Sequence, residues 1–581
     1  MKKILSIFLA VAMLASCGGK DQNVSDGKIQ TITTEAKGQE DGLKVEVKFD
    51  GDKITEVNVL ENNETPGVSD TAIENIPKAI VENNSINVDV VSGATNTSNG
   101  IIAAVKLAIE KAGLKVADFE KDVEKSKEGK EVEKETDVVV VGGGIAGLSA
   151  ALEAVQNGAK VTLVEKMPVT GGSTMMSGGL ILGAESSIAK KLGRTETTQD
   201  LADYWYKVSE EKADKEFIDL AAKTSGENID WMIENGVKMK EEITKLHSSH
   251  KFGFGHRTAG FDDVPAGGGV GFTQPLADKI VEDGGEILVN TKAYELIVKD
   301  GKVCGVKATN ESGDDITIKS KAVVLASGGF AANDEMMKEH HPFLKAGSAA
   351  HGGNKGNTGD GITMAEAVDA KTLYHDSGID LGVNSPTFYG YGEEYTGLYV
   401  TPEGDRFMDE SAFHFRRTRI LMDLDFNDVW AITDQSNDRV EASVEEGNAF
   451  KADSIEELAE KIGVDAKKLK ATVDRYNELS DKGNDEDFGK AGELMKKIEG
   501  PTYYGLKLFM GNSGTIGGLV TTINCEVLNN DDQVIEGLYA AGEVASGQMM
   551  YKEYPGSGSA IAFYLAFGRQ AGKTVAEFVA N

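Results

Sequence analysis

Residues 136–147 restrict the fold more than any other stretch: Thr136-Asp137-Val138-Val139-Val140-Val141 runs into Gly142-Gly143-Gly144-Ile145-Ala146-Gly147. Four consecutive valines show no alternation, which predicts a strand buried on both faces, as in a parallel sheet. Gly142, Gly144 and Gly147 follow at G-x-G-x-x-G spacing, and the segment through Asn157 reads as a helix. Lys160-Val161-Thr162-Leu163-Val164-Glu165 reads as a second strand, with Glu165 18 residues beyond Gly147 and placed to take a ribose hydroxyl. The glycine spacing alone is weak. With a strand before it, a helix after it and an acid at the second strand's end, it predicts a dinucleotide-binding βαβ unit.

Glycine makes up 68 of 581 residues and proline only 10, an excess that points to close backbone approach rather than a low-complexity linker. Further glycines recur where strands should end. Thr170-Gly171-Gly172-Ser173-Thr174 and Ser177-Gly178-Gly179 form a second run; Val323-Val324-Leu325-Ala326-Ser327-Gly328 and Leu538-Tyr539-Ala540-Ala541-Gly542-Glu543 form two more. Gly142 and Gly542 are 400 residues apart. Distant strand ends converging on one cofactor, with a unit inserted between them, resemble the flavoprotein family of fumarate reductases and succinate dehydrogenases. The segments 359–365 (Gly-Asp-Gly-Ile-Thr-Met-Ala) and 404–410 (Gly-Asp-Arg-Phe-Met-Asp-Glu) fit the same family. The resemblance covers about 136–581 and implies an α/β fold. A Rossmann-like FAD-binding domain would occupy 136–375 and 508–581, with an inserted α+β cap domain at 376–507. It also implies non-covalent FAD on the glycines above, with Ala146, Glu165, Lys166, Ser173, Asp360, Glu543, Ser559, Ala560 and Ile561.

Upstream, Leu43 to Phe49 alternates as a half-buried strand, Asp50-Gly51-Asp52-Lys53 reads as a hairpin turn, and Ile54 to Leu60 returns. Helical periodicity follows over 69–83 and 99–112, with Ser92-Gly93-Ala94-Thr95 between. Hydroxyls and free N–H groups at a helix N-terminus suit a phosphate, although a plain Ser/Thr cap shows the same pattern. Glu64-Thr65-Pro66-Gly67 and Asp89-x-x-Ser92-Gly93-Ala94-Thr95 resemble the FMN-binding domain of Na⁺-pumping quinone reductases and related respiratory flavoproteins. The resemblance implies a small α+β domain over 28–114 and FMN joined to Thr95 by a phosphoester that a flavin transferase installs, with Ser92 and Gly93 beside it. Residues 115–135, dense in Lys and Glu, read as a solvated charged linker.

The first residues read as an export signal. Lys2 and Lys3 precede an apolar run from Ile4 to Ala15, too short to span a membrane. Its end, Leu14-Ala15-Ser16-Cys17, resembles the lipobox of bacterial lipoproteins. That implies a signal peptide over 1–16, a lipid on Cys17, a tether over 17–27, and an extracytoplasmic chain anchored to the cell membrane. A secretory signal with a chance Cys is the alternative reading of the same residues, which the agreement of position, flanks and tetrapeptide weighs against. Only Cys304 and Cys525 accompany Cys17, too few for a four-cysteine iron–sulfur site, so a redox cofactor here is organic or brought by a partner. The net charge of −33 argues against nucleic acid as a partner. No histidines show metal-ligand spacing, and His340-His341 reads as a solvated pair.

The flavoprotein family implies reduction of a polarised C=C bond, with fumarate-type members clamping substrate carboxylates through Arg and His. This sequence departs from that clamp. Asp380-Leu381-Gly382-Val383 stands where they carry His-Pro-Thr, and Asn512-Ser513-Gly514-Thr515 where they carry a His before T-x-G-G. Tyr554-Pro555-Gly556-Ser557-Gly558-Ser559-Ala560 replaces Asn-Arg-x-Gly-Gly-Asn-Ala, and resembles the Y-P-G-x-G segment of ketosteroid 1-dehydrogenases and related enone reductases. This implies that the Tyr554 hydroxyl and the Gly558 N–H, a free donor at the start of the last helix, polarise a ketone oxygen. The proton donor stays open between His414, four residues beyond Glu410, and Arg417 or Arg416. The expected function is an extracytoplasmic, flavin-dependent enone reductase in anaerobic respiration. Electrons would come from a membrane quinol or flavoprotein through FMN and FAD. Two alternatives remain: a reductase of a fumarate-, urocanate- or cinnamate-like acid held by Arg416 or Arg417, and a flavin electron carrier without substrate turnover.

Overall fold

The structure, a computed structural model, describes residues 29–64, 69–88, 90–91, 94–121, 129–245, 251–260, 268–344, 349–351, 353–383, 397–425, 428–436 and 440–581. The expected signal segment, Cys17, the tether, Thr65, Pro66, Gly67, Asp89, Ser92 and Gly93 lie outside these residues.

Two compact units divide the chain near residue 124. In the N-terminal unit Leu43, Val45, Val47 and Phe49 are fully buried while their neighbours are partly open, the alternation of a one-sided sheet. Leu43–Asp50 lies between Ile29–Ala36 and Lys53–Glu61 in an antiparallel sheet. Ile29–Ala36 carries too many Thr and Glu to show apolar alternation, yet Thr34 Oγ1 donates to the Ala104 carbonyl at 2.7 Å and seats it on the helix Thr95–Lys111. That helix begins at Thr95, four residues before the expected start, because its polar first turn carries no apolar period. Ile101, Ala104, Val105, Ala108 and Ile109 bury its inner face on the sheet.

The larger unit is built on a six-stranded sheet ordered Glu526–Leu528, Val534–Ala540, Ala322–Leu325, Val138–Val141, Val161–Val164 and Glu286–Leu288. All its pairs are parallel except the first. The valine run is buried on both faces. Val138 and Val140 join the core with the helices Ile145–Gln156 and Ser559–Ala580, whereas Val139 and Val141 pack toward the strands Thr291–Lys299, Lys302–Asn310 and Asp315–Lys319. The expected linker is not wholly solvated: Glu131–Glu135 pairs parallel with Asp315–Lys319, and Val132 packs against the second core. One inward valine in a charged run is enough for an edge strand. A separate four-stranded sheet orders Leu398–Val400, Trp430–Asp434, Tyr503–Lys507 and Ala449–Ala452, covered by the helices Ile455–Ile462 and Ala466–Lys482. The strands Thr372–Val383 and Phe509–Leu519 pair antiparallel.

Candidate active site

The turn after Val141 exists because no side chain fits there. Gly142 has φ +107°, and a Cβ on it would lie 2.3 Å from the Ala326 carbonyl oxygen. A Cβ on Gly147 would lie 1.9 Å from the Gly142 carbonyl oxygen, so helix and strand meet backbone to backbone. Gly144 has nothing within 4 Å of its Cβ position, and its backbone opens on a cleft. Residues 141–146, 164–167, 172–174, 291–293 and 326–328 line the cleft, with Asn354, Gly356, Asn357, Asp360, Glu543 and Tyr564.

Two buried carboxylates face it. Glu165 accepts the Gly143 N–H at 2.7 Å and the Met167 N–H at 2.8 Å; burial nonetheless raises its pKa above the ordinary carboxylate value. Glu543 accepts the Thr515 N–H at 2.7 Å, and burial pushes its carboxyl up to about 7. Lys166 Nζ donates to Asp360 Oδ2 at 2.6 Å and to Thr358 Oγ1 at 2.7 Å. Burial acts to raise the Asp360 pKa, but Lys166 and Lys292 outweigh it and the net shift is downward. The Ser327 Oγ in the wall is closed to solvent and has no protein hydrogen-bond partner. The orphaned hydroxyl, the open backbone at Gly144 and the unbonded N–H groups of the first helical turn fit FAD. The diphosphate would take the helix start, and the ribose would take Glu165.

Of the residues expected to hold FAD, Gly142, Gly144, Ala146, Glu165, Lys166, Gly172, Ser173, Gly328, Asp360 and Glu543 line this cleft. Gly147, Gly171, Gly178, Gly179, Gly542, Ser559, Ala560 and Ile561 lie outside the lining. A Cβ on Gly179 would meet Thr258 Oγ1 at 2.3 Å, and one on Gly542 would meet Ala146 Cβ at 2.7 Å. Ser559 Oγ accepts the Trp205 Nε1–H at 3.0 Å.

In the N-terminal unit Thr95 opens its helix, and Ala94 as N-cap offers no side-chain acceptor. The first-turn N–H groups therefore suit a phosphate, which fits FMN there. Thr97 Oγ1 donates to the buried Glu64 carboxylate, which also accepts the Gln39 and Glu40 N–H groups at 3.3 and 3.1 Å.

A second constellation forms where the helix His414–Asp423 meets the segment before Ser559–Ala580. The buried Tyr554 ring packs edge-on against Phe415, centroids 4.6 Å apart. The Ala560 N–H donates to Tyr554 Oη at 3.1 Å. Burial pushes the phenol pKa well up, opposed by the Ala560 and Gly558 N–H groups. The Gly558 N–H, expected as a free donor, acts on the same phenol and lowers its pKa, while Gly558 itself takes φ +89° at the helix start. Burial thus keeps the Tyr554 hydroxyl protonated. His414 begins the helix, half-buried, its ring centroid 4.4 Å from that of Phe413 and 4.2 Å from that of Phe415. Arg417 is buried and donates to Tyr399 Oη and the Glu410 carbonyl, both at 3.0 Å. Arg416 is exposed and pairs with Glu553 at 3.0 Å.

The expected solvated His340-His341 pair is corrected. His341 ends the helix Asp334–His340 and turns inward, fully buried, with Nε2 2.7 Å from Asp380 Oδ2. Asn512 Nδ2 donates to the other Asp380 oxygen at 2.6 Å. His340 stacks on Tyr374 at 3.7 Å.

The FAD-binding-domain family matches residues 137–561, nearly the whole larger unit, and the FMN-binding-domain family matches residues 38–110. The chain belongs to the FAD-binding flavoprotein family. Urocanate reductase of Eggerthella lenta is 31% identical over 98% of this chain and 96% of that protein. NADH:acrylate oxidoreductase of Vibrio harveyi is 31% identical over 94% of this chain, which spans only 61% of that protein's length. Among solved structures, 3-ketosteroid-Δ4-(5α)-dehydrogenase of Rhodococcus jostii RHA1 with 4-androstene-3,17-dione superposes with a TM-score of 0.66. Its identity is 28%, covering 78% of this chain and 99% of that one.

Within this FAD-binding flavoprotein, sequence reasoning missed Thr291, Lys292, Asn354, Asn357 and Tyr564. The two asparagines had a signal: they stand in a Gly/Asn turn directly before Gly359-Asp360-Gly361. Asn357 Nδ2 donates to Ser173 Oγ at 3.0 Å and ties that turn to the second glycine run. Thr291, Lys292 and Tyr564 had none, since each sits within an ordinary strand or helix.

Proposed function

We propose that this chain is a flavin-dependent reductase of the C=C bond of an unsaturated carboxylic acid. The match through both flavin-binding units to urocanate reductase, over nearly the full length of each protein, carries this reading. One local feature supports it over the ketone reading. Buried Arg417 lies on the same helix as His414, where a carboxylate could be held. FAD, when bound, supplies the hydride. Tyr554 O–H and Arg417 would orient the acid, and His414 would protonate the α-carbon. An enone remains the second reading, favoured by the Tyr554-Pro555-Gly556-Ser557-Gly558 segment.

FMN on Thr95, placed by a flavin transferase, would be the point of electron entry from a membrane quinol or flavoprotein. Cys17 would carry the lipid of an extracytoplasmic anchor. Reduced methyl viologen as donor separates the readings: acrylate, urocanate or cinnamate should be reduced and a steroid enone ignored. The reverse result, or no turnover at all, overturns the acid reading. Arg417→Ala should abolish turnover of an acid and spare a ketone. Flavin fluorescence on a denaturing gel should vanish in Thr95→Ala, and palmitate labelling should vanish in Cys17→Ala.

A further inference from the structure

The helix His414–Asp423 carries both the expected proton donor and Arg417, so its placement against Tyr554 sets the geometry of the proposed reaction. The Phe415–Tyr554 contact brings the two together but, being one edge-on ring pair, leaves rotation about it open. Two ion pairs flank that contact. Arg419 Nη2 lies 2.9 Å from Glu210 Oε1, just beyond the helix Thr198–Val208, and 3.1 Å from Asp423 Oδ1 on its own helix. Arg416 Nη1 lies 3.0 Å from Glu553 Oε2, the residue before Tyr554. The Arg419 and Glu553 side chains are only 8% and 11% exposed, whereas Glu210 and Arg416 reach 36% and 53%. Half-sheltered pairs are screened by salt less than open ones, and an Arg fork holds direction as well as distance.

We propose that Arg419, with Glu210, and secondarily Arg416, with Glu553, are positioning residues that hold the His414 helix in register with Tyr554. The proposal rests on the assignment of this face as the substrate site. Each pair joins the helix to a segment far away in sequence, 209 residues for Arg419–Glu210 and 137 for Arg416–Glu553. Arg419 also pairs with Asp423 on its own helix, so its bond to Glu210 is the one that reaches another element. The cross-links therefore act between elements. Arg419–Glu210 contributes more than Arg416–Glu553, whose open Arg gains little from a surface pair.

The test is a charge-swap cycle on the full flavin-loaded chain, read two ways. Arg419→Glu should lower kcat on the order of tenfold with little change in KM, while Arg419→Glu/Glu210→Arg should recover most of it. Arg416→Glu should lower kcat about twofold. Hydrogen–deuterium exchange of the 414–423 peptide should speed up on the order of tenfold in Arg419→Glu and slow again in the swap. Glu210→Gln, a mild change at an open position, repeats both readouts should Arg419→Glu fold poorly. Single reversals that leave both kcat and exchange unchanged, or a swap that restores neither, overturn the proposal. If the unaltered chain reduces no acid and no ketone, the functional reading fails, yet the exchange data still decide whether the pairs position the helix.

Discussion

The cofactor cleft and the proposed substrate face of the larger unit are built from different parts. The cleft is shaped by backbone. Gly142 and Gly147 are required where carbonyl oxygens crowd a Cβ, Gly144 is open, and Glu165 and Glu543 are each held by main-chain N–H groups. The substrate face is shaped by side chains: His414 and Arg417 come from one helix and Tyr554 from a segment 140 residues later, joined by a ring contact and two ion pairs. A backbone site follows from short motifs. A side-chain site depends on packing, and the two should fail separately when perturbed.

The largest expected effect is on the substrate face. His414→Ala should cost on the order of 10²–10⁴ in kcat and Tyr554→Phe on the order of 10²–10³, both with full FAD content. Loss of FAD from Tyr554→Phe would break the separation between the two regions.

Gly142→Ala is the mirror experiment. Its added Cβ meets the Ala326 carbonyl at 2.3 Å in a backbone region that alanine rarely adopts. Crowding and strain together cost on the order of 4 kcal/mol. The flavin-to-protein ratio should collapse and the urea midpoint should fall; an FAD-loaded Gly142→Ala enzyme would contradict the backbone account.

Glu543 sharpens the same point through pH. Its folded pKa is about 7 against an ordinary 4.5, so the folded state favours the neutral acid. Stability from this group is complete below pH 4.5 and is lost as pH rises through 7, by about 3 kcal/mol in all. Urea unfolding of the flavin-free chain between pH 5 and 8 should show this slope, and Glu543→Gln should flatten it.

The smallest effect concerns Lys166, whose Nζ bonds Asp360 and Thr358 at the cleft edge with about a fifth of each charged side chain exposed. Lys166→Met should weaken FAD binding about fivefold, measured by fluorescence titration. A hundredfold loss would mean that charge rather than backbone dominates the cleft.

How much was legible follows the same division. The valine strand, the glycine turn and Glu165 stood in the sequence because each is local: unbroken β-branched residues suit a two-sided strand, and glycine alone tolerates the turn at Gly142. The alternation of Leu43, Val45, Val47 and Phe49 likewise predicts the sheet beneath the Thr95 helix. Ile29–Ala36 was not legible, since a polar strand is recruited only once its neighbour is in place.

Sequence by itself therefore determined the glycine turn of the dinucleotide cleft, the hairpin of the small N-terminal sheet and the flavoprotein class, because short-range sterics and residue period decide them. Tertiary structure alone decided the rest. It turned His341 inward to Asp380, brought the Ala560 N–H to the Tyr554 oxygen, sent Arg416 to solvent and buried Arg417. The physical reason is that burial and partner choice for a polar side chain are set by whichever distant segment packs against it, and no local pattern encodes that neighbour.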